Sequence, residues 1–303
     1  MLTQQRAPVF ASLLLGAAIF LFAASFWTQS GDREITPPQE VASQENPLIP
    51  GYDYPTLGIA DFLERAAVVR SELRELQNHD QNAGSSRPVA FLTSRLDPHR
   101  SLAELNDLVF QTIRHSDQLE IRWTDNFIQK SLAYLYPPLR EPQLPWQILQ
   151  QQQGLCSDSC KILQWQLQQA GIDSAFLGLG QHVVLLVHHQ GRYYWADPDF
   201  GIVVTYDPTT GRPDEFQLIE QGRHRGFSEP TLRRLREILA DRTDWTRLAW
   251  NQPLSPRLTL VAKISELTVQ FAPLFLLAGG LATIWHCRND WNLERKGLTK
   301  PVR

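Results

Sequence analysis

Two of the three cysteines in this 303-residue chain stand four apart in the stretch GLCSDSCKILQWQLQQAG, residues 154 to 171. Three chemistries fit such a pair: a disulfide, half of a metal site, or one nucleophile beside one core residue. Residues 156, 160, 163, 167 and 170 (Cys, Cys, Leu, Leu, Ala) share one face of a helix. Cys156 then sits at the N-terminal tip, where unpaired N–H groups and the helix dipole favour a thiolate. Cys160 lies one turn deeper, in a small apolar position typical of buried thiols. A disulfide within one regular helix constrains little, and a metal pair usually has the tighter C-x2-C spacing with further ligands nearby. The pattern therefore reads Cys156 as a nucleophile and Cys160 as a core residue.

A cysteine nucleophile needs a base, and the base needs a group that orients it. The segment GQHVVLLVHHQGRYYWADPDFG, residues 180 to 201, offers both. Gln190-Gly191 fits a two-residue hairpin turn. That turn sets His189 opposite Arg192 and Val184 opposite Asp197, and strand alternation puts His182 on the face of Val184. His182 and Asp197 become diagonal neighbours, roughly 7–8 Å apart at the backbone and within reach of an imidazole–carboxylate hydrogen bond. Asp199 is a rival orienter, directly opposite His182 if the ladder runs on, but Pro198 is expected to end it there. His188 and His189 flank the turn and are expected to face solvent.

A G-x-C opening to a helix, a glycine at its end, a strand beginning His-Val, a Gly-containing hairpin and the string YYWADPDFG together resemble the transglutaminase-like superfamily, over about residues 100 to 205. The resemblance implies a papain-like fold, in which a nucleophile helix packs on an antiparallel sheet bearing His and Asp. Carried over by position, its triad falls on Cys156, His182 and Asp197. It implies a thiolate–imidazolium pair steadied by Asp197, attack on a carboxamide or peptide carbonyl, and a thioester passed to water or an amine. The Cys156 N–H would help to hold the oxyanion. The second donor falls to the glutamine run 150–153 or to Trp146, and the residues do not choose between them. No cofactor and no metal is implied.

The elements around these residues read as helices followed by an antiparallel sheet, an α+β order. The periodicity predicts helices over 59–77, 101–115, 122–135, 145–152 and 228–240, with a capping box at Ser101 and Glu104 for the second. The first of these fits a packed helix or a coiled-coil-like stalk. Strands are expected at SAFLGLG, HVVLLVHH, RYYWAD and GIVVTYD. The loop NHDQNAGSSRP, residues 78 to 88, separates the first two helices.

A net charge of −3 argues against a nucleic-acid partner, and three cysteines make no disulfide framework. Two uncharged apolar runs, 8–27 and 267–286, are each about as long as the ~20 residues of a membrane span. Arg6 precedes the first; Arg288, Arg295, Lys296, Lys300 and Arg303 follow the second, so the positive-inside rule puts both tails in the cytoplasm. The expected organisation is then a cytoplasmic N-terminus (1–7), a transmembrane helix (8–27), a linker (28–58), a periplasmic or extracellular domain (59–265), a second transmembrane helix (267–286) and a basic cytoplasmic tail (287–303). The fold expectation is accordingly an α+β, transglutaminase-like core flanked by transmembrane helices in the inner membrane. The expected substrate is a protein or peptide of the cell envelope, with a membrane-complex partner as a further expectation. Two other functions use the same residues: a non-catalytic scaffold or binding subunit, and a redox module cycling Cys156 and Cys160.

Overall fold

The structure, a computed structural model, describes residues 57–82, 97–116, 120–121, 126–180, 182–240 and 245–295. Its sheet is set by one turn. Gln190 and Gly191 both take positive φ, 51° and 70°, the left-handed conformation at both centre positions that a two-residue hairpin needs. The turn joins β4 (His182–His189) to β5 (Arg192–Asp197) with His189 opposite Arg192 and Leu185 opposite Ala196. These strands lie at the middle of a six-stranded antiparallel sheet. In the order β7, β6, β5, β4, β3, β8, its other members are β3 (Asp173–Leu179), β6 (Ile202–Asp207), β7 (Arg212–Pro213) and β8 (Trp245–Arg247). The short β8 pairs with β3 at the sheet edge, where the sequence suggested only a tryptophan-rich lead-in to the second apolar run.

Alternation along the strands feeds two cores. Leu185, Val187, Tyr194 and Val203 join one; Val184, Trp195, Ile202 and Val204 join the other. The first core is covered by α1 (Ile59–Asn82), α2 (Pro98–Thr112) and α5 (Cys156–Ala170). The second is covered by α6 (Glu215–His224) and α7 (Glu229–Ala240). α1 is a packed helix: Phe62, Ala66, Val69, Leu73 and Leu76 are buried at helical spacing. It runs to Asn82, into the region expected as a loop, and residues 83–96 lie outside the described ones.

α2 begins earlier than its expected capping box. Asp97 is the N-cap, accepting from His99 N–H at 3.0 Å, and Pro98 supplies the first helical φ. Ser101 is one turn inside the helix and donates to Glu72 Oε2 at 3.2 Å. α2 also stops at Thr112, so Arg114–His115 form a short strand, β1. β1 runs parallel to β2 (Gln153–Gly154), with His115 opposite Gly154. Between them in sequence come α3 (Phe127–Ala133) and α4 (Pro145–Gln151).

Among the described residues the chain forms two compact units, one from 57–120 and 141–259, the other from 121–140 and 260–295. The sheet and its five covering helices belong to the first. The second contains α3, capped by Asn126 accepting from Gln129 N–H at 2.8 Å, and most of α8 (Pro256–Arg295).

The membrane topology differs from the expectation. The apolar run 267–286 lies inside the 40-residue α8, and no helix among the described residues is long and apolar enough to cross a membrane. Thr268, Gln270 and the Gly279-Gly280 pair dilute the run, and Lys263 and Glu266 precede it in the same helix. The expectation of flanking transmembrane helices is therefore not supported. The inner-membrane location with two spans, and the periplasmic or extracellular placement deduced from it, fall with that expectation. The run 8–27, most of the linker 28–58 and the tail beyond Arg295 lie outside the described residues.

Candidate active site

α5 is positioned tightly at both ends. Its first turn is held by Asp158, whose Oδ2 accepts from Leu155 N–H at 3.1 Å while Oδ1 meets Lys161 Nζ at 2.7 Å. Gly154 is required just before this turn: a Cβ there would lie 2.6 Å from Asp158 Cβ. At the far end Gly171, at φ 79°, closes a Schellman cap in which Ile172 N–H reaches Leu167 O at 2.9 Å and Gly171 N–H reaches Gln168 O at 3.1 Å. Cys156 is the first residue of the helix and half-buried. Asp158 and Ser159 N–H both bond back to Leu155 O, which leaves the N–H groups of Cys156 and Ser157 at the tip without an intrahelical acceptor. These are the donors a developing oxyanion on a Cys156 adduct would meet.

Cys160 fixes where this tip lies. Its thiol is buried and donates to Val183 O at 3.3 Å, so the first turn of α5 rests on the start of β4. His182 is the preceding residue. Its Nε2 lies 2.7 Å from Asp197 Oδ2, and both side chains are nearly fully buried. Phe200 stands edge-on to the imidazole, ring centroids 5.3 Å apart. The bond at Nε2 leaves Nδ1 as the nitrogen for the thiol. Burial alone would favour a neutral ring. The charge and hydrogen bond of Asp197, reinforced by the hydrogen bond and charge of Cys156, outweigh it and hold the His182 pKa well above the ordinary histidine value. The sequence-derived trio of Cys156, His182 and Asp197 is thus brought together in one place.

Asp197 has a second task. Its Oδ1 accepts from Asp199 N–H at 3.1 Å and from Phe200 N–H at 3.2 Å, closing the turn that follows β5. Asp199, the rival orienter, faces elsewhere: its two carboxylate oxygens lie 2.9 and 3.0 Å from Nδ1 of His115. His115 was expected at the end of a helix and had no assigned role. Asn106 was also missed. It is buried in α2, and its Nδ2 donates to Asp197 O at 3.2 Å and to Ile202 O at 3.4 Å, pinning the backbone of the turn. A lone Asn inside an apolar helix face was the available signal for it.

Of the other expectations, Cys156 and Cys160 are both free thiols. Burial first, then the negative charges of Asp197, Cys156, Asp199 and Asp158, pushes the Cys160 thiol well above its ordinary range, so it remains protonated. His189 does not face solvent: it is buried, with Nδ1 2.8 Å from Gln77 Oε1, because α1 covers the hairpin turn. His188 is half-buried and stacks on Tyr193. Gln151 and Gln152 turn their amide nitrogens to Glu120 O at 3.1 Å and Leu57 O at 2.9 Å. Among the described residues no group of three or more His, Cys, Asp or Glu is arranged to hold a metal ion.

No protein-family model matches this chain, and no curated protein matches it.

Proposed function

We propose that this chain is a transglutaminase-like thiol enzyme that cleaves or transfers the acyl group of an amide in a protein or peptide. The observation that carries the reading is the buried His182–Asp197 pair, 2.7 Å apart, beside the first turn of α5, whose Cys160 bonds to Val183 O and whose tip is Cys156. In the first step Sγ of Cys156 bonds to the amide carbonyl carbon, and the C–N bond breaks as protonated His182 gives its proton to the leaving nitrogen. In the second, water or a primary amine attacks the thioester, loses its proton to His182, and expels the thiolate. Asp197 holds the imidazole orientation and stabilises its charge throughout. The N–H groups at the helix tip receive the oxyanion in both steps. The redox alternative has weaker support, because Cys160 is buried and held as a thiol.

The test is to incubate the full chain with glutamine-containing peptides, with and without a fluorescent primary amine, and to search for an acyl adduct by mass spectrometry. The expected result is a hydroxylamine-sensitive adduct on Cys156 that is absent from Cys156→Ser. Release of ammonia without amine incorporation would assign hydrolysis; incorporation would assign acyl transfer. A wild-type chain that forms no adduct and turns over no peptide, like Cys156→Ser, would overturn the proposal and favour a scaffold.

A further inference from the structure

We infer that His115 is a positioning residue of the Cys156 site, clamping the turn that carries Asp197 to the strand that leads into the nucleophile. The inference rests on the thiol-enzyme reading above. Two connections link the acid to the cysteine. One is direct, from Asp197 through His182. The other runs through the backbone. Asp197 Oδ1 holds Asp199 N–H, the Asp199 carboxylate holds His115 Nδ1, and His115 pairs with Gly154, two residues before Cys156. Ser116 N–H bonds to Gly154 O at 2.9 Å and seals the last contact. Gly154 has no room for a side chain, since a Cβ there would lie 2.6 Å from Asp158 Cβ in the first helical turn.

The clamp has a chemical reason to exist. The Asp199 side chain is only 3% exposed, and its charge lies two residues from that of Asp197. A buried carboxylate is costly unless paired and hydrogen-bonded. With His115 in place, an N–H donor at Nδ1 faces both oxygens of Asp199 and keeps it turned away from His182. Without it, Asp199 would relax toward solvent or toward His182. Either movement would drag the N–H that Asp197 Oδ1 accepts. Asp197 would then lose the geometry in which one oxygen shapes the turn and the other serves the imidazole. The work required of His115 is donation and not titration, so an uncharged donor of similar reach should replace it.

The experiment measures the rate of iodoacetamide alkylation at Cys156 by peptide mapping in the full chain, alongside melting temperature. Wild type, His115→Ala, His115→Asn, Asp199→Asn and His182→Ala are compared. The clamp predicts that His115→Ala lowers the rate about tenfold, a modest share of what a misplaced catalytic group costs, while the chain still melts cooperatively. His115→Asn, which keeps a donor for Asp199, should recover most of the rate, and Asp199→Asn, which keeps an acceptor without a buried charge, should stay close to wild type. If His115→Ala does not fold, His115→Leu, which fills similar space without a donor, carries the prediction of a lowered rate, and a folded His115→Leu at the wild-type rate overturns the clamp. A rate unchanged in folded His115→Ala, or a His115→Asn rate as low as that of Ala, overturns the clamp alone. A wild-type rate no faster than that of His182→Ala overturns the thiol reading and the clamp with it.

Discussion

Nε2 of His182 and Oδ2 of Asp197 meet at 2.7 Å although neither residue is the other's cross-strand partner. The ladder pairs Leu185 with Ala196, so Asp197 continues beside Val184 and His182 is its diagonal neighbour. Diagonal neighbours reach each other only through long side chains, and imidazole and carboxylate are long enough. Had the hairpin loop held three residues instead of two, His182 and Asp197 would point to opposite faces. The Gln190-Gly191 turn therefore acts on the chemistry from the far end of β4 and β5.

Asp197→Asn should abolish the base while preserving the turn. The amide oxygen can still accept from Asp199 and Phe200 N–H, which points Nδ2 at His182. A donor facing Nε2 moves the ring proton to Nδ1, the wrong tautomer for receiving a proton from the thiol. Peptide turnover should fall by on the order of 10⁴, the loss that a wrong-tautomer substitution gives in serine proteases, while the chain still folds cooperatively. Turnover measured on purified variants checks this.

Stability should carry a pH signature of the same pair. His182 holds its proton to a higher pH in the folded chain than in the unfolded one, where it titrates near ~6.5. The stabilisation is complete below the unfolded value and is lost as pH rises through the folded value. The stability difference between wild type and His182→Gln, from urea melts at about pH 6 to about pH 9, should therefore shrink as pH rises. A difference that grows with pH would contradict the assigned direction.

Asn106→Ala removes the donor that holds Asp197 O and Ile202 O in a buried setting. Losing these two buried hydrogen bonds should cost about 1–3 kcal/mol, readable in a denaturant midpoint. Because the loosened turn carries Asp197, turnover at saturating peptide should fall more than apparent affinity does. A variant that is destabilised without any loss of turnover would separate Asn106 from the site.

Cys160 should be inert in the folded chain. It is buried, donates to Val183 O, and sits among negative charges that keep it protonated. Alkylation mapped by mass spectrometry should mark Cys156 and spare Cys160 until denaturant is added. Equal labelling of both thiols in the native chain would remove the distinction between them.

The hairpin was legible in the sequence because its evidence is local. Two-residue alternation, the Gln190-Gly191 turn and Pro198 together define the register, and the register decides which side chains can meet. α5 was legible for a similar reason, with Gly154 and Gly171 at its ends and one apolar face between them. His115 was not legible, since the apolar period of α2 runs visually into it while the backbone has already turned extended at Ile113. Its partner Asp199 is 84 residues away, and nothing local specifies that contact. Asn106 was hidden in the same way, as its partners are backbone carbonyls on another element. α6 was missed because its buried apolar positions, Leu218 and Ile219, are too few to give a strong period. The membrane reading failed on a different ground. It weighed the absence of charge in the run 267–286 above the polar residues within it and the long helix that contains it.

The central claim is that His182 activates Cys156. The most direct measurement is the rate of iodoacetamide alkylation at Cys156 near pH 6.5, under reducing conditions, in wild type and His182→Ala, with Cys156→Ser as the blank. Alkylation should be rapid in wild type and slower by about tenfold or more in His182→Ala, which lacks the base that takes the thiol proton. Equal rates in the two folded proteins would contradict it, and would make His182–Asp197 a structural pair beside an ordinary thiol.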